Sequence, residues 1–179
     1  MTSFFDITST LPWPNAIGKR TAVGPIVGAA ESEAISELAK TTPLILVITA
    51  TTAAAHNLAS ELPFFLSDDL EILLVPDWET LPYDNFSPHE DIVSDRLKAL
   101  SRLPTLKSGV VIVSVTTLMH RLAPRHFIDA GVLSLKTGET LDAGQFVRNL
   151  TRNGYRSVDT VYEHGEFATR GSLLDVFPM

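Results

Sequence analysis

Three runs, Pro43–Ile48, Leu70–Val75 and Gly109–Val115, are almost wholly apolar and are separated by longer amphipathic stretches. A strand without polar alternation is one covered on both faces, the condition of strands in a parallel sheet flanked by helices. From Thr21 to Ala123 the pattern therefore argues for a parallel α/β layer architecture. Between the first two runs, Thr51 or Thr52 can cap a helix that puts Ala55, Leu58, Ala59 and Leu62 on one face. Between the second and third, Ser87-Pro88-His89-Glu90 reads as a capping box with proline at the first helical position. Ile92, Val93, Leu97 and Leu100 then recur at helical spacing, which leaves Asp95 and Arg96 on the solvated face.

After the third run a short helix is predicted from about Thr117 to Leu122, stopped by Pro124, which has no backbone hydrogen to donate. Beyond it the pattern changes. It reads as a strand at Val132–Lys136, a helix from about Leu141 to Arg152 ended by Asn153-Gly154, and strands near Val158–Glu163, Phe167–Arg170 and Leu173–Phe177. That is a small α+β unit. The chain stops at Met179 directly after a strand and without a polar tail, so a piece of a longer protein is expected.

With 179 residues and 45% hydrophobic content, the chain can bury the core of one ordinary domain and at most a small second one. No apolar run approaches the roughly 20 residues of a membrane span. Met1–Thr10 carries acidic and aromatic residues where an export signal would be basic and then continuously apolar, and cysteine is absent. The expected compartment is the cytoplasm, with no membrane partner. The net charge of −7 is uneven: residues 1–118 hold 7 Lys/Arg against 14 Asp/Glu, and residues 119–179 hold 7 against 7. A surface that grips duplex DNA needs a basic stripe, and none is visible.

A phosphate-binding loop needs glycines for close backbone approach and a Lys-Ser/Thr pair for phosphate and magnesium. The segment Gly24-Pro25-Ile26-Val27-Gly28-Ala29-Ala30-Glu31 stands where such a loop would, ahead of a helix carrying Ile35 and Leu38. No lysine follows Gly28, and Glu31 lies where a phosphate would want a cation. Phosphoryl transfer would lose its main electrostatic stabilisation, so this is a degenerate loop and no nucleotide cofactor is expected. Asp84, His89, Glu90, Asp91 and Asp95 have metal-ligand chemistry, but Glu90 and Asp91 are better explained by the helix dipole. No metal site or catalytic residue is assigned, and His56, His120, His126 and His164 read as surface or packing residues.

Two further segments stand out. Asp77–His89 concentrates two prolines, three aromatics and several charges; either Trp78, Tyr83 and Phe86 staple it to the sheet, or it binds something. In Glu163–Pro178, Gly165 and Gly171 punctuate two strands as a hairpin that lifts Arg170 onto an exposed edge. There Arg170 either meets a partner carboxylate or closes an internal salt bridge with Glu166 or Asp175.

The runs DWETLPYDNFSPH (Asp77–His89) and EHGEFATRGSLLDVFPM (Glu163–Met179) resemble those of the bacterial transcription-repair coupling factors (Mfd). VSVTTL (Val113–Leu118) and GYRSVD (Gly154–Asp159) also resemble that family, so the similarity covers roughly residues 20–179 and is weaker before Leu44. A more distant resemblance to UvrB rests on Arg170, Gly171, Asp175, Phe177 and Pro178. UvrB has an intact phosphate loop and a long aromatic hairpin that grips damaged DNA, where this chain has Gly24–Glu31 and the short Asp77–His89 connection.

The resemblance implies a UvrB-like arrangement: a helicase-like, parallel-sheet α/β lobe over residues 1–127 with a degenerate P-loop, then a small α+β domain over 128–179 that binds UvrA. It places Arg170 on the UvrA-contacting hairpin, with Phe167 and Glu166 beside it. It implies that the ATP-driven DNA translocase and the RNA-polymerase-binding domain lie outside this chain, which would then be an adaptor and not an enzyme. The alternatives are a UvrB-like nucleotide-dependent module that binds damaged DNA, and a small domain that docks within the whole protein and masks the same surface.

Overall fold

The structure, a computed structural model, describes residues 11–179 except Asn15, Pro82, Leu133 and Ser134. The reading of Met1–Thr10 as unlike an export signal therefore falls on residues outside the described ones. The chain divides by internal packing into two units: one of residues up to Leu74 with Thr105–Leu118, the other of Val75–Pro104 with Met119–Met179. The boundary expected after Phe127 falls inside the second unit.

The first unit carries α1 (Ala30–Ala39), β1 (Leu44–Thr49), α2 (Thr52–Glu61), β2 (Glu71–Val75), β3 (Gly109–Ser114) and α4 (Val115–Met119). Its three-stranded parallel sheet has the order β1-β3-β2, with Leu44 opposite Gly109 and Thr49 opposite Ser114. The strand that comes last in sequence is central, and β3 is buried along its whole length. On β1, by contrast, Ile45 and Thr49 are buried while Leu44, Leu46 and Ile48 are exposed. The expectation of strands covered on both faces thus holds for the central strand and not for β1, whose face carrying Leu44, Leu46 and Ile48 stays exposed among the described residues.

Ile35, Ile45, Ala55, Leu58, Leu62, Val110 and Ile112 form the core of this unit. Thr51 caps α2, its side chain accepting from the Ala54 N–H at 3.1 Å, which removes one of the orphan donors of a helix start. Gly109 has φ +137°, and a Cβ there would overlap the Glu71 carbonyl oxygen and stand 3.1 Å from its carbon. Neighbouring backbone occupies the place of a side chain, which only glycine permits.

Two expectations around α4 are corrected. The helix starts at Val115, directly from β3, because buried Ser114 Oγ accepts from the Thr117 N–H at 3.2 Å. It ends at Met119, before Pro124. That proline is the N-cap of a further helix, α5 (Arg125–Gly131), where its fixed φ suits a helix entry.

The second unit contains α3 (Glu90–Arg102), α5, α6 (Ala143–Arg152), β4 (Arg156–Ser157), β5 (Glu166–Arg170) and β6 (Leu173–Phe177). The capping-box reading of Ser87 is corrected: His89 caps α3, its Nδ1 accepting from the Asp91 N–H at 3.3 Å, and Pro88 lies before the cap. Arg96 is corrected as well. It is buried, its guanidinium lies 4.6 Å from the Trp78 ring centroid, and Nη1 donates to the Pro76 carbonyl at 2.6 Å. Burial pushes its pKa below the ordinary arginine value, against the raising effect of Asp77. Of the three aromatics for which stapling or binding was open, Trp78 packs against Arg96, while Tyr83 and Phe86 are exposed.

Asp142 caps α6 by accepting from the Gln145 N–H at 2.9 Å, and Asn153 with Gly154 at φ +88° ends it as expected. The expected strand at Val132–Lys136 is not observed at Val132, Leu135 or Lys136, and Leu133 and Ser134 lie outside the described residues. The strand expected over Val158–Glu163 is replaced by β4 and an irregular segment. β4 pairs parallel with β5, and β5 pairs antiparallel with β6, so the small sheet is mixed.

Candidate functional site

The β5–β6 hairpin turns at Gly171-Ser172, with Arg170 opposite Leu173 and Glu166 opposite Phe177. Gly171 has φ +62°, as the first central residue of a two-residue II′ loop requires. Side chains alternate along each strand. One face sends Phe167 into a cluster with Phe146 and Leu150, against which Leu174 and Val176 pack. The other carries Glu166, Ala168 and Arg170 across from Phe177, Asp175 and Leu173.

Arg170 is exposed at the hairpin tip, and its Nη2 donates to the Asp159 carbonyl at 3.2 Å. Neither internal salt bridge considered from the sequence forms: Glu166 and Asp175 are both off this guanidinium. Phe167 is 2% exposed and Glu166 is 7% exposed, so of the three residues named for partner contact only Arg170 offers its side chain to a partner. The other two hold the strand that presents it.

Glu166 works through the irregular segment before β5. Its Oε2 accepts from the Tyr162 N–H at 2.9 Å and the Glu163 N–H at 3.0 Å, and its Oε1 lies 3.4 Å from Arg156 Nη2. These two backbone donors, and then Arg156, hold its carboxyl below the ordinary 4.5. A carboxyl depressed in the folded state stabilises the fold above its ordinary value. That contribution is lost as pH falls through the folded value. Glu166→Gln should therefore flatten the acid limb of thermal stability between pH 6 and pH 2, on the order of magnitude set by one perturbed carboxyl. An unchanged slope in circular-dichroism melts would remove Glu166 from this role.

His164 closes the other end of the hairpin. Its ring stacks on Phe177 at 4.3 Å, Nδ1 meets the Pro178 carbonyl at 2.5 Å and Nε2 meets the Asp91 carboxylate at 2.9 Å. Gly165, at φ +75°, packs so closely that a Cβ would stand 3.1 Å from the Met179 side chain.

The residues read from the sequence as a phosphate loop belong to the first unit. Gly24 and Gly28 have nothing within 4 Å of an added Cβ, and Gly28 (φ +66°) leads through Ala29 into α1, where Glu31 is exposed in the first turn. The adjacent Ser32 hydroxyl is buried and donates to Glu61 Oε2 at 3.1 Å. Among the described residues no three His, Asp or Glu side chains gather in a metal-ligand group. No helix of the described residues is long and apolar enough to cross a membrane.

Residues 133–179, which contain the whole hairpin, match the UvrB interaction domain family. The transcription-repair-coupling factor of Escherichia coli (strain K12) is 44% identical over 168 residues, covering 93% of this chain and 14% of that protein. The chain belongs to the transcription-repair-coupling factor family. The Haemophilus influenzae coupling factor is 43% identical over 158 residues, covering 88% of this chain and 14% of its own length. The Staphylococcus aureus (strain USA300) coupling factor is 31% identical over 136 residues, with 75% and 12% covered. The chain thus spans about a seventh of the length of these coupling factors.

Sequence reasoning about the coupling-factor hairpin missed Asp159, Arg156 and Leu173. Asp159 takes part through its carbonyl, which every residue type carries. Arg156 meets Glu163 Oε2 at 2.9 Å across a loop that local periodicity does not describe. Leu173 had a legible signal in the turn itself, since a II′ hairpin places the residues flanking the loop directly opposite each other.

Proposed function

We propose that this chain serves the coupling of transcription to nucleotide excision repair by recruiting UvrA through the β5–β6 hairpin, and that it hydrolyses no ATP itself. The observation that carries the reading is Arg170: an exposed guanidinium at the tip of a paired hairpin, within the segment that matches the UvrB interaction domain. A guanidinium so placed suits a bidentate, charge-assisted contact with a partner carboxylate.

The first unit is proposed as a helicase-like lobe with a degenerate phosphate loop. Its parallel sheet supports that assignment, and Gly24–Glu31 supplies neither the lysine nor the free hydroxyl that phosphate and magnesium require. DNA translocation and RNA polymerase binding are assigned to the part of the coupling factors that this chain does not span.

The test is calorimetric titration of UvrA into the chain and into an Arg170→Ala variant whose circular dichroism matches the wild type. The variant should lose more than about 1 kcal/mol of binding free energy. Equal binding would overturn the hairpin assignment. Added ATP should not be turned over by the chain alone, and hydrolysis above background would overturn the adaptor reading.

A further inference from the structure

We propose that Leu173 joins Arg170 in a two-part contact surface, apolar beside cationic, which fits a protein partner presenting a carboxylate next to an apolar side chain. The inference rests on the UvrA-recruiting reading and extends it to a residue that reading does not name.

The register carries the argument. Leu173 lies directly across from Arg170, on the same face of the sheet and beside the turn. Directly opposed residues of an antiparallel pair hold their Cβ atoms about 5 Å apart, close enough for one partner surface to cover both. Leu173 is 56% exposed, whereas Leu174, the next residue, packs against the buried cluster of Phe146, Leu150 and Phe167. The leucine at 173 therefore leaves more than half of its surface open to a partner.

Arg170 adds the charge. Its guanidinium bonds the Asp159 carbonyl, a neutral acceptor, and forms no ion pair with a carboxylate among the described residues. Five N–H donors in a rigid fork leave most of its bonding capacity facing outward. The carbonyl also fixes the fork before a partner arrives, which lowers the ordering cost of binding. An apolar neighbour that excludes water then strengthens the charge-assisted bond, as fully desolvated anchors ringed by apolar contacts do at interface hot spots.

The experiment is a titration of UvrA against the wild-type chain, Leu173→Met, Leu173→Ser, Arg170→Ala and the Leu173→Ser/Arg170→Ala double variant. Each is first checked to melt at the wild-type temperature. Leu173→Met conserves volume and should bind within about twofold, while Leu173→Ser should bind about tenfold more weakly. The double variant should lose less than the product of the two single losses, because the residues act on one partner site. If Leu173→Ser binds like wild type while Arg170→Ala is weakened, the recruiting reading stands and the two-part surface falls. Independent, multiplicative losses would likewise overturn the pairing. If the wild-type chain does not bind UvrA, the recruiting reading falls and the inference with it.

Discussion

Gly109→Ala should lower the stability of the first unit by roughly 3 kcal/mol or more in equilibrium urea unfolding, among the larger effects of a single methyl group. Two costs act together. The backbone at φ +137° lies outside the regions an alanine adopts readily, and the new methyl would be driven into the Glu71 carbonyl on the neighbouring strand. Neither can relax cheaply, because Gly109 also donates its N–H to the Pro43 carbonyl at 2.7 Å and begins a strand buried throughout. Gly24→Ala is the natural control, since an added Cβ there meets open space. If the two variants unfolded at the same urea concentration, the close approach of backbone at Gly109 would be wrong.

Phe167→Ala should destabilise the second unit by about 3–5 kcal/mol, the usual cost of truncating a buried phenylalanine. The cluster it belongs to is small: Phe146 and Leu150 from α6 are the other buried members, with half-buried Val147, Tyr155, Leu174 and Val176 around them. With so few neighbours the cavity has little from which to refill. The same variant should weaken UvrA binding under conditions where the hairpin is partly unfolded, although the ring itself is out of a partner's reach. Phe167→Leu separates the two ideas. It should recover most of the stability and, with it, most of the binding; recovered stability without recovered binding would mean that the aromatic ring is itself a contact.

The strands were legible because burial dictates composition, yet their order was not. LILVIT and GVVIVS are equally apolar, and nothing local to either tells an outer strand from a central one. Strand order is set by crossovers that run far along the chain, and the cover of each face by elements distant in sequence, so Leu44, Leu46 and Ile48 look like core in sequence and are exposed in the fold. Arg96 shows the converse. Its charge reads as a solvated face, and it is buried because Trp78 and the Pro76 carbonyl, twenty residues away in the chain, supply a ring and an acceptor.

At the candidate site, Arg170 could be placed from sequence because a glycine at the turn determines where its neighbours go. Phe167 and Glu166 were named beside it for partner contact and are buried instead, since alternation does not say that α6 covers one face and an irregular segment the other. Capping behaved similarly. Thr51 and Asp142 have side chains that accept readily, whereas His89 caps α3 through a ring nitrogen, and Ser87 two residues earlier offered the more familiar signal.

The acceptor that steadies Arg170 is the carbonyl of residue 159 and not its carboxylate. Any amino acid at that position offers the same oxygen, so mutation can drift freely at 159 without disturbing the arginine. A search for a residue that covaries with Arg170 would pass over this contact altogether. What positions the oxygen is the path of the backbone, and Glu166, seven residues away, helps to hold that path through its two amide bonds to Tyr162 and Glu163.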